Sequence, residues 1–393
     1  MKPIFWQDKY NKQENLDIPG LFPYLIQQIS TEMYDVKRVG DNIDSTQNNW
    51  YVIKNTLNYD KTTHLLGVYN LHIPRTSVLK FIGDNNIKVA IFQPHDNIVA
   101  DVLESKTLID VWEKFKKYNI KPHNVFIFQS NLHTAVQITH PFLKKVNFPS
   151  TYQYQHCSLT EHENFDFINK KSKKFILPVN KVTDERLLML WLLKTNDLLR
   201  YGHYSMCKNN VEWKFFDKNL KSEMEKMLKE IPVYIEKKIE HEQNYSEYTV
   251  WQRGSNVPLG YLKESRDCYF SIVLESTPLR DDLLHITEKT FRPFSHCKPF
   301  VVFGNKGTLQ EVRKLGYKTF PEFFDESYDE IIDTKERFYA VYNEVKRVCS
   351  MDLDQLHELY ISIKDKLIHN RKVYLELRGF DKYFKKFFID YEN

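Results

Sequence analysis

The feature that most restricts this fold is an apolar, β-favouring run that recurs with a helical stretch between its copies. Residues 88–92, KVAIF, and 124–128, NVFIF, flank a segment from Asp101 to Tyr118 whose apolar residues fall at helical spacing. Strand, helix, strand in this order demands parallel pairing with the helix laid on a sheet face, so an all-β or all-α chain is excluded. The alternation returns later. KFILPV (174–179) predicts a strand, and Thr183 to Leu199 an apolar helix capped by Thr183 or Asp184. YFSIVLE (269–275) predicts a strand, and Lys289 to Phe294 begins a helix. PFVVFG (299–304) predicts another strand, and Gly307 to Leu315 a helix stopped at Gly316. The class is α/β with two Rossmann-like series.

Between the two series, residues 141–173 are polar, Lys-rich and poor in pattern, which places a boundary near 145–172. The expected division is 1–160 for an N-terminal α/β domain, 161–375 for a C-terminal α/β domain and 376–393 for a helical tail. At 393 residues the chain has room for two domains, and 42% hydrophobic residues are enough to build their cores. The stretch 208–245 reads as a charged helical insertion interrupted by Pro232. From about 335 the chain is helical and rich in Lys, Tyr and Phe; it closes the second domain or crosses back to the first.

Parallel sheets collect ligands beyond the carboxyl ends of their strands. In the first series this singles out Gln93-Pro94-His95-Asp96 and Gln129-Ser130-Asn131 as the acceptor side. In the second, Glu275 ends a strand and Thr287-Glu288-Lys289 opens a helix. A helix N-terminus offers unpaired N–H groups and about half a unit of positive charge, which suits a nucleotide diphosphate. Lys289 would neutralise phosphate and Glu288 would accept from ribose hydroxyls. The competing explanation is a Thr N-cap with an acid and a base in the first helical turn.

The run ESTPLRDDLLHITEKTFRPFSHCKPFVVFG (275–304) is similar to the C-terminal signature of fucosyltransferase-like GT-B glycosyltransferases, in which a strand-terminal Glu precedes a T-E-K motif. GTLQEVRKLGYKTFPEFFDESYD resembles the continuation in related bacterial and viral enzymes, and KFILPVNKVTDERLLMLWLL their strand-Asn-x5-Arg-helix element. The resemblance spans residues 174–332. It implies two domains facing a cleft, a UDP- or GDP-linked sugar as donor, Arg186 and Lys289 on the diphosphate, Glu288 on the ribose, and Glu275 near the sugar or shaping the pocket. Arg186 could instead serve only to anchor its helix. The insertion after residue 207 departs from the family pattern and leaves the donor's sugar and base open.

No metal is expected: only the adjacent Asp281-Asp282 is taken to imitate part of a D-x-D triplet, and two cations facing a leaving diphosphate can replace a metal. An inverting transfer needs a base for the acceptor hydroxyl. Asp96 is the first candidate, followed by His95, Asp101 and His133, with His95, His133 and Arg75 as acceptor-binding residues; Asp96 could equally be an Asx-turn or helix cap. Resembling enzymes of tailed phages glycosylate hydroxymethylcytosine in DNA, whereas others build surface glycans. The net charge of +4 permits an anionic partner without requiring one, and a pI of about 8.5 with no amphipathic membrane helix favours the duplex, with cations such as Arg75, Lys114, Lys117 and Lys121 lining the cleft. The same balance, with 15% aromatic residues, also fits a noncatalytic nucleic-acid-binding protein. Five cysteines without a C-x-x-C, no signal pattern and no long apolar stretch give the expectation of a cytoplasmic monomer, in the host cytoplasm if phage-encoded.

Overall fold

The computed structural model describes residues 4–7, 35–38, 41–43, 49–59, 66–71, 74–93, 106–129, 144–147, 165–179, 183–206, 222, 226, 264–276, 278–279, 284–377 and 388. The chain divides into two compact units, Met1–His156 with Asp282–Ile286 and Glu376–Asn393, and Cys157–Asp281 with Thr287–Leu375. Each is built on a parallel sheet, so the protein is α/β. Among the described residues no helix is long and apolar enough to cross a membrane.

The first unit contains strands β1 (Ile4–Gln7), β2 (Asp35–Arg38), β3 (Asn49–Tyr59), β4 (Leu66–Leu71), β5 (Lys88–Gln93), β6 (Val125–Gln129) and β7 (Lys144–Asn147). Their order is β2-β1-β3-β5-β6-β7, parallel throughout, with β4 antiparallel on β3. The two apolar runs of the sequence are neighbours, Val89 facing Val125 and Ile91 facing Ile127. Helix α1 (Thr76–Asp84) buries Val78, Leu79 and Ile82, and α2 (Lys106–Lys117) buries Trp112 and Phe115. Each such side chain contributes roughly 1.5–3 kcal/mol when removed from water. Gly83 is required where α1 meets the end of α2, because a Cβ there would stand 1.8 Å from the carbonyl oxygen of Tyr118. Trp50 of β3 is 1% exposed and packs edge-on against Phe388, which closes the unit with the chain's last segment.

The second unit is the four-stranded sheet β11-β10-β8-β9, made from β8 (Lys173–Val179), β9 (Gly202–Met206), β10 (Cys268–Leu274) and β11 (Phe300–Phe303). All its pairs are parallel. Every residue of β10 and β11 is buried, the continuous apolar pattern of strands covered on both faces. Pro178 of β8 lies beyond the ladder to β10, which runs to Ile176, and opposite Ser205 of β9. Helix α3 (Asp184–Thr195) buries Leu187, Leu188, Met189, Leu190 and Leu193. Helices α4 (Glu288–Ser295) and α5 (Thr308–Lys314) follow β10 and β11, α5 beginning after Gly307 and stopping before Gly316, both with positive φ. The helical stretch expected from about 335 is α6 (Thr334–Ser350), α7 (Leu353–Ser362) and α8 (Lys364–Leu377), and the tail expected over 376–393 lies outside the described residues except for 376, 377 and 388.

From β8 the chain goes first to β9 on one side and later to β10 on the other, so the strand order reverses between β8 and β10. A crevice beyond the carboxyl ends of strands at such a reversal is where open α/β sheets bind ligands. In the first unit the reversal lies between β1 and β3. That is one strand away from β5, whose loop the sequence singles out, because the short, mixed runs IFWQ and DVKR give no strand signal of their own.

Candidate functional site

The carboxyl end of β10 carries Glu275, whose side chain is wholly buried. Its Oε1 accepts from the Thr287 backbone N–H at 3.0 Å and from the Thr290 hydroxyl, and its Oε2 accepts from the Thr287 hydroxyl at 2.5 Å. One carboxylate therefore fastens the strand end to the first turn of α4. Thr287 is the N-cap, its hydroxyl oxygen accepting from the Lys289 N–H at 3.3 Å. Of the two expected roles the cap is present, and Glu275 holds it.

Lys289 sits in that first turn, and its Nζ donates to Ser276 Oγ at 3.0 Å and Thr287 Oγ1 at 3.1 Å. Its ammonium is thereby held between the loop after β10 and the start of α4. Glu288 opens the helix, and its side chain lies outside what the structure describes. Arg186, in the first turn of α3, is 4% exposed and donates through Nη2 to the carbonyls of Leu274 and Glu275, at 3.0 and 3.1 Å. It brings α3 to the end of β10 across the β8–β10 reversal and places a guanidinium directly under the strand end. Neighbouring Glu185 is raised above the usual carboxylate range by burial, while the Thr183 hydroxyl that donates to it pulls the other way.

The other helix start at this edge is also held by a carboxylate of the chain. Both carboxylate oxygens of Asp329 accept from Leu309 N–H at 3.0 Å, and one accepts from Gln310 N–H at 3.2 Å, so α5 already holds an anion belonging to the chain itself. Burial pushes Asp329 up to about 6 despite those amides. At α4 the same part is played by Glu275, and the Lys289 ammonium donates to the Thr287 hydroxyl that the carboxylate also holds.

Of the residues expected from sequence, Arg186, Glu275, Thr287 and Lys289 come together at one strand end. Ser276 and Thr290 join them without having been singled out, since an isolated hydroxyl beside a strand end gives no pattern. Asp96, His95, His133 and Asp101, and the pair Asp281-Asp282, lie outside the described residues. Arg75 precedes α1, exposed, its carbonyl accepting from Val78 and Leu79. The lysines expected beside the acceptor are placed elsewhere. Lys114, Lys117 and Lys121 occupy the end of α2 and the turn into β6, hence the edge where the strands begin, opposite Gln93 and Gln129. A D-x-D triplet does occur outside the donor segment, Asp352-Leu353-Asp354, and its carboxylates are committed to structure. Asp352 makes the capping box of α7 with Gln355, and Asp354 pairs with Lys170. Among the described residues no group of three or more His, Cys, Asp or Glu side chains is placed to hold a metal ion.

Comparison with protein-family models and with curated proteins finds no match for this chain.

Proposed function

We propose that this chain is a nucleotide-sugar-dependent glycosyltransferase of the GT-B type, whose donor diphosphate is held where β10 meets α4. The observation that carries the proposal is the Lys289 ammonium, fixed on the hydroxyls of Ser276 and Thr287 at the carboxyl edge of a parallel sheet beside its reversal point. In this reading the diphosphate receives the backbone N–H groups of the first turn and the Lys289 ammonium. Arg186 adds positive charge from beneath through its seat on Leu274 and Glu275, and Glu288 holds the ribose.

The same contacts give a catalytic account. As the bond from anomeric carbon to phosphate breaks, negative charge grows on the leaving diphosphate. A lysine already fixed in place stabilises that charge more than the ground state, which lowers the barrier. The acceptor hydroxyl attacks from the opposite face and gives its proton to a base in the first unit, for which Asp96 stands first. The favoured acceptor is hydroxymethylcytosine in duplex DNA; a surface glycan is the alternative.

Screening donor hydrolysis across UDP- and GDP-sugars, with and without hydroxymethylated DNA, tests the proposal. The expected outcome is slow hydrolysis of one donor and transfer when its acceptor is added. Absence of nucleoside diphosphate binding altogether refutes it.

A further inference from the structure

Arg337 lies in the first turn of α6, remote in sequence from the donor motif, and is 1% exposed. Its planar fork of donors is distributed over three segments. Nε donates to the carbonyl of Gly304, which follows β11, at 3.1 Å. Nη1 donates to the carbonyls of Ile331 and Ile332, at 2.6 and 3.1 Å. Nη2 donates to Pro278 O at 3.3 Å and to Thr334 Oγ1 at 3.2 Å. Pro278 stands two residues beyond Ser276, in the loop that leaves β10.

We infer that Arg337 is a positioning residue of the donor site, fixing the loop after β10 so that Ser276 holds the Lys289 ammonium at the start of α4. The inference rests on the function proposed above. Pro278 has no N–H, so its carbonyl is the backbone handle by which that loop can be held. A guanidinium can serve carbonyls in several directions at once because its donors are fixed in one plane, whereas a lysine offers a single point charge. The three tied segments follow β10, follow β11 and precede α6, so one side chain sets the spacing of the loops at the edge where the diphosphate binds. Catalytic and binding groups tolerate little displacement: an error of about 1 Å can cost on the order of a hundredfold. Arg337 touches no reacting atom in this scheme. It acts through Ser276.

The test is Arg337→Lys in the full chain, read in three ways. Hydrogen exchange should rise in 276–279, 304–307 and 331–334 while β8 and β10 keep their protection. Acylation of Lys289, followed by mass spectrometry, should quicken several-fold relative to Lys173 and Lys366. Binding of UDP or GDP should weaken about tenfold, and that loss should largely vanish in a Ser276→Ala background, as coupled residues require. Faster exchange throughout the second unit, or an undiminished loss in Ser276→Ala, would mean that Arg337 is merely structural and would overturn the inference. If Arg337→Lys does not fold, Thr334→Ala removes a single partner; it should show the same local exchange and a smaller rise in Lys289 labelling, and unchanged labelling overturns the inference. If the wild-type protein binds neither nucleotide, the proposed function fails, and the exchange and labelling results still decide whether Arg337 holds Ser276 and Lys289.

Discussion

Replacing Glu275 by Gln should weaken the second unit out of proportion to the size of the change. The carboxylate is fully buried and accepts three hydrogen bonds, two on Oε1 and one on Oε2. A glutamine oxygen can keep the pair from Thr287 N–H and Thr290, but its NH2 then faces the Thr287 hydroxyl. That hydroxyl cannot simply turn, since its oxygen already accepts from Lys289 N and Nζ. One charge-assisted bond is lost and two become neutral, about 2–3 kcal/mol in all. Glu275→Ala leaves three buried donors without an acceptor and should cost about 3–5 kcal/mol, a large share of a typical domain's 5–15 kcal/mol. Urea unfolding of both variants measures this. A Gln variant within about 0.5 kcal/mol of wild type, the range of ordinary surface substitutions, would refute the claim that this carboxylate fastens α4 to β10.

Asp329 gives a pH prediction. Its folded pKa is raised from 3.8 to about 6, so between those values the native state binds a proton that the unfolded state has lost, and stability should fall as pH rises from about 4 to 6, by about 3 kcal/mol in full. Asp329→Asn should flatten that segment of the stability curve in urea titrations, and an unchanged slope would contradict it. In the proposed mechanism the chain's own cations stabilise the leaving diphosphate, so transfer activity should survive EDTA; complete loss restored by Mg²⁺ or Mn²⁺ would show that a metal takes part. With hydroxymethylated duplex as acceptor, the logarithm of affinity should fall against that of salt with a slope of roughly −0.9 per phosphate neutralised. Transfer to saccharides alone, with no DNA binding at low salt, would remove the DNA reading.

Strands with continuous apolar runs were legible in the sequence. KVAIF, NVFIF, KFILPV, YFSIVLE and PFVVFG all lie in β5, β6, β8, β10 and β11 to within a residue or two at either end. Their burial on both faces writes itself into composition. β9 was not legible: GHYSM has neither alternation nor an apolar run, and Gly202 is there because a Cβ would meet the Phe175 ring at 2.2 Å. Helix α3 ends at Thr195, where Leu199 was expected, because the chain turns at Asp197, whose φ is 56°. The meeting of Glu275 with Thr287 could be guessed from a strand end and a helix start, but not that the carboxylate accepts from Thr287 twice and from Thr290 once. Arg337 carried no signal, since an arginine in a first helical turn looks like a solvated one until its partners are brought together from 278, 304 and 331–332. The α2 lysines show the converse limit: charge is visible in sequence, whereas the edge of the sheet on which it falls depends on helix direction.

The central claim is that the start of α4 binds a nucleoside diphosphate through Lys289. Titration calorimetry of UDP and GDP against the wild-type chain and Lys289→Ala tests it most directly. The account predicts binding of one nucleotide by the wild type and a loss of about 1.5–3 kcal/mol in the variant, with the circular dichroism spectrum kept, the usual range for a charge-assisted contact. Equal affinity in a folded Lys289→Ala protein would contradict it.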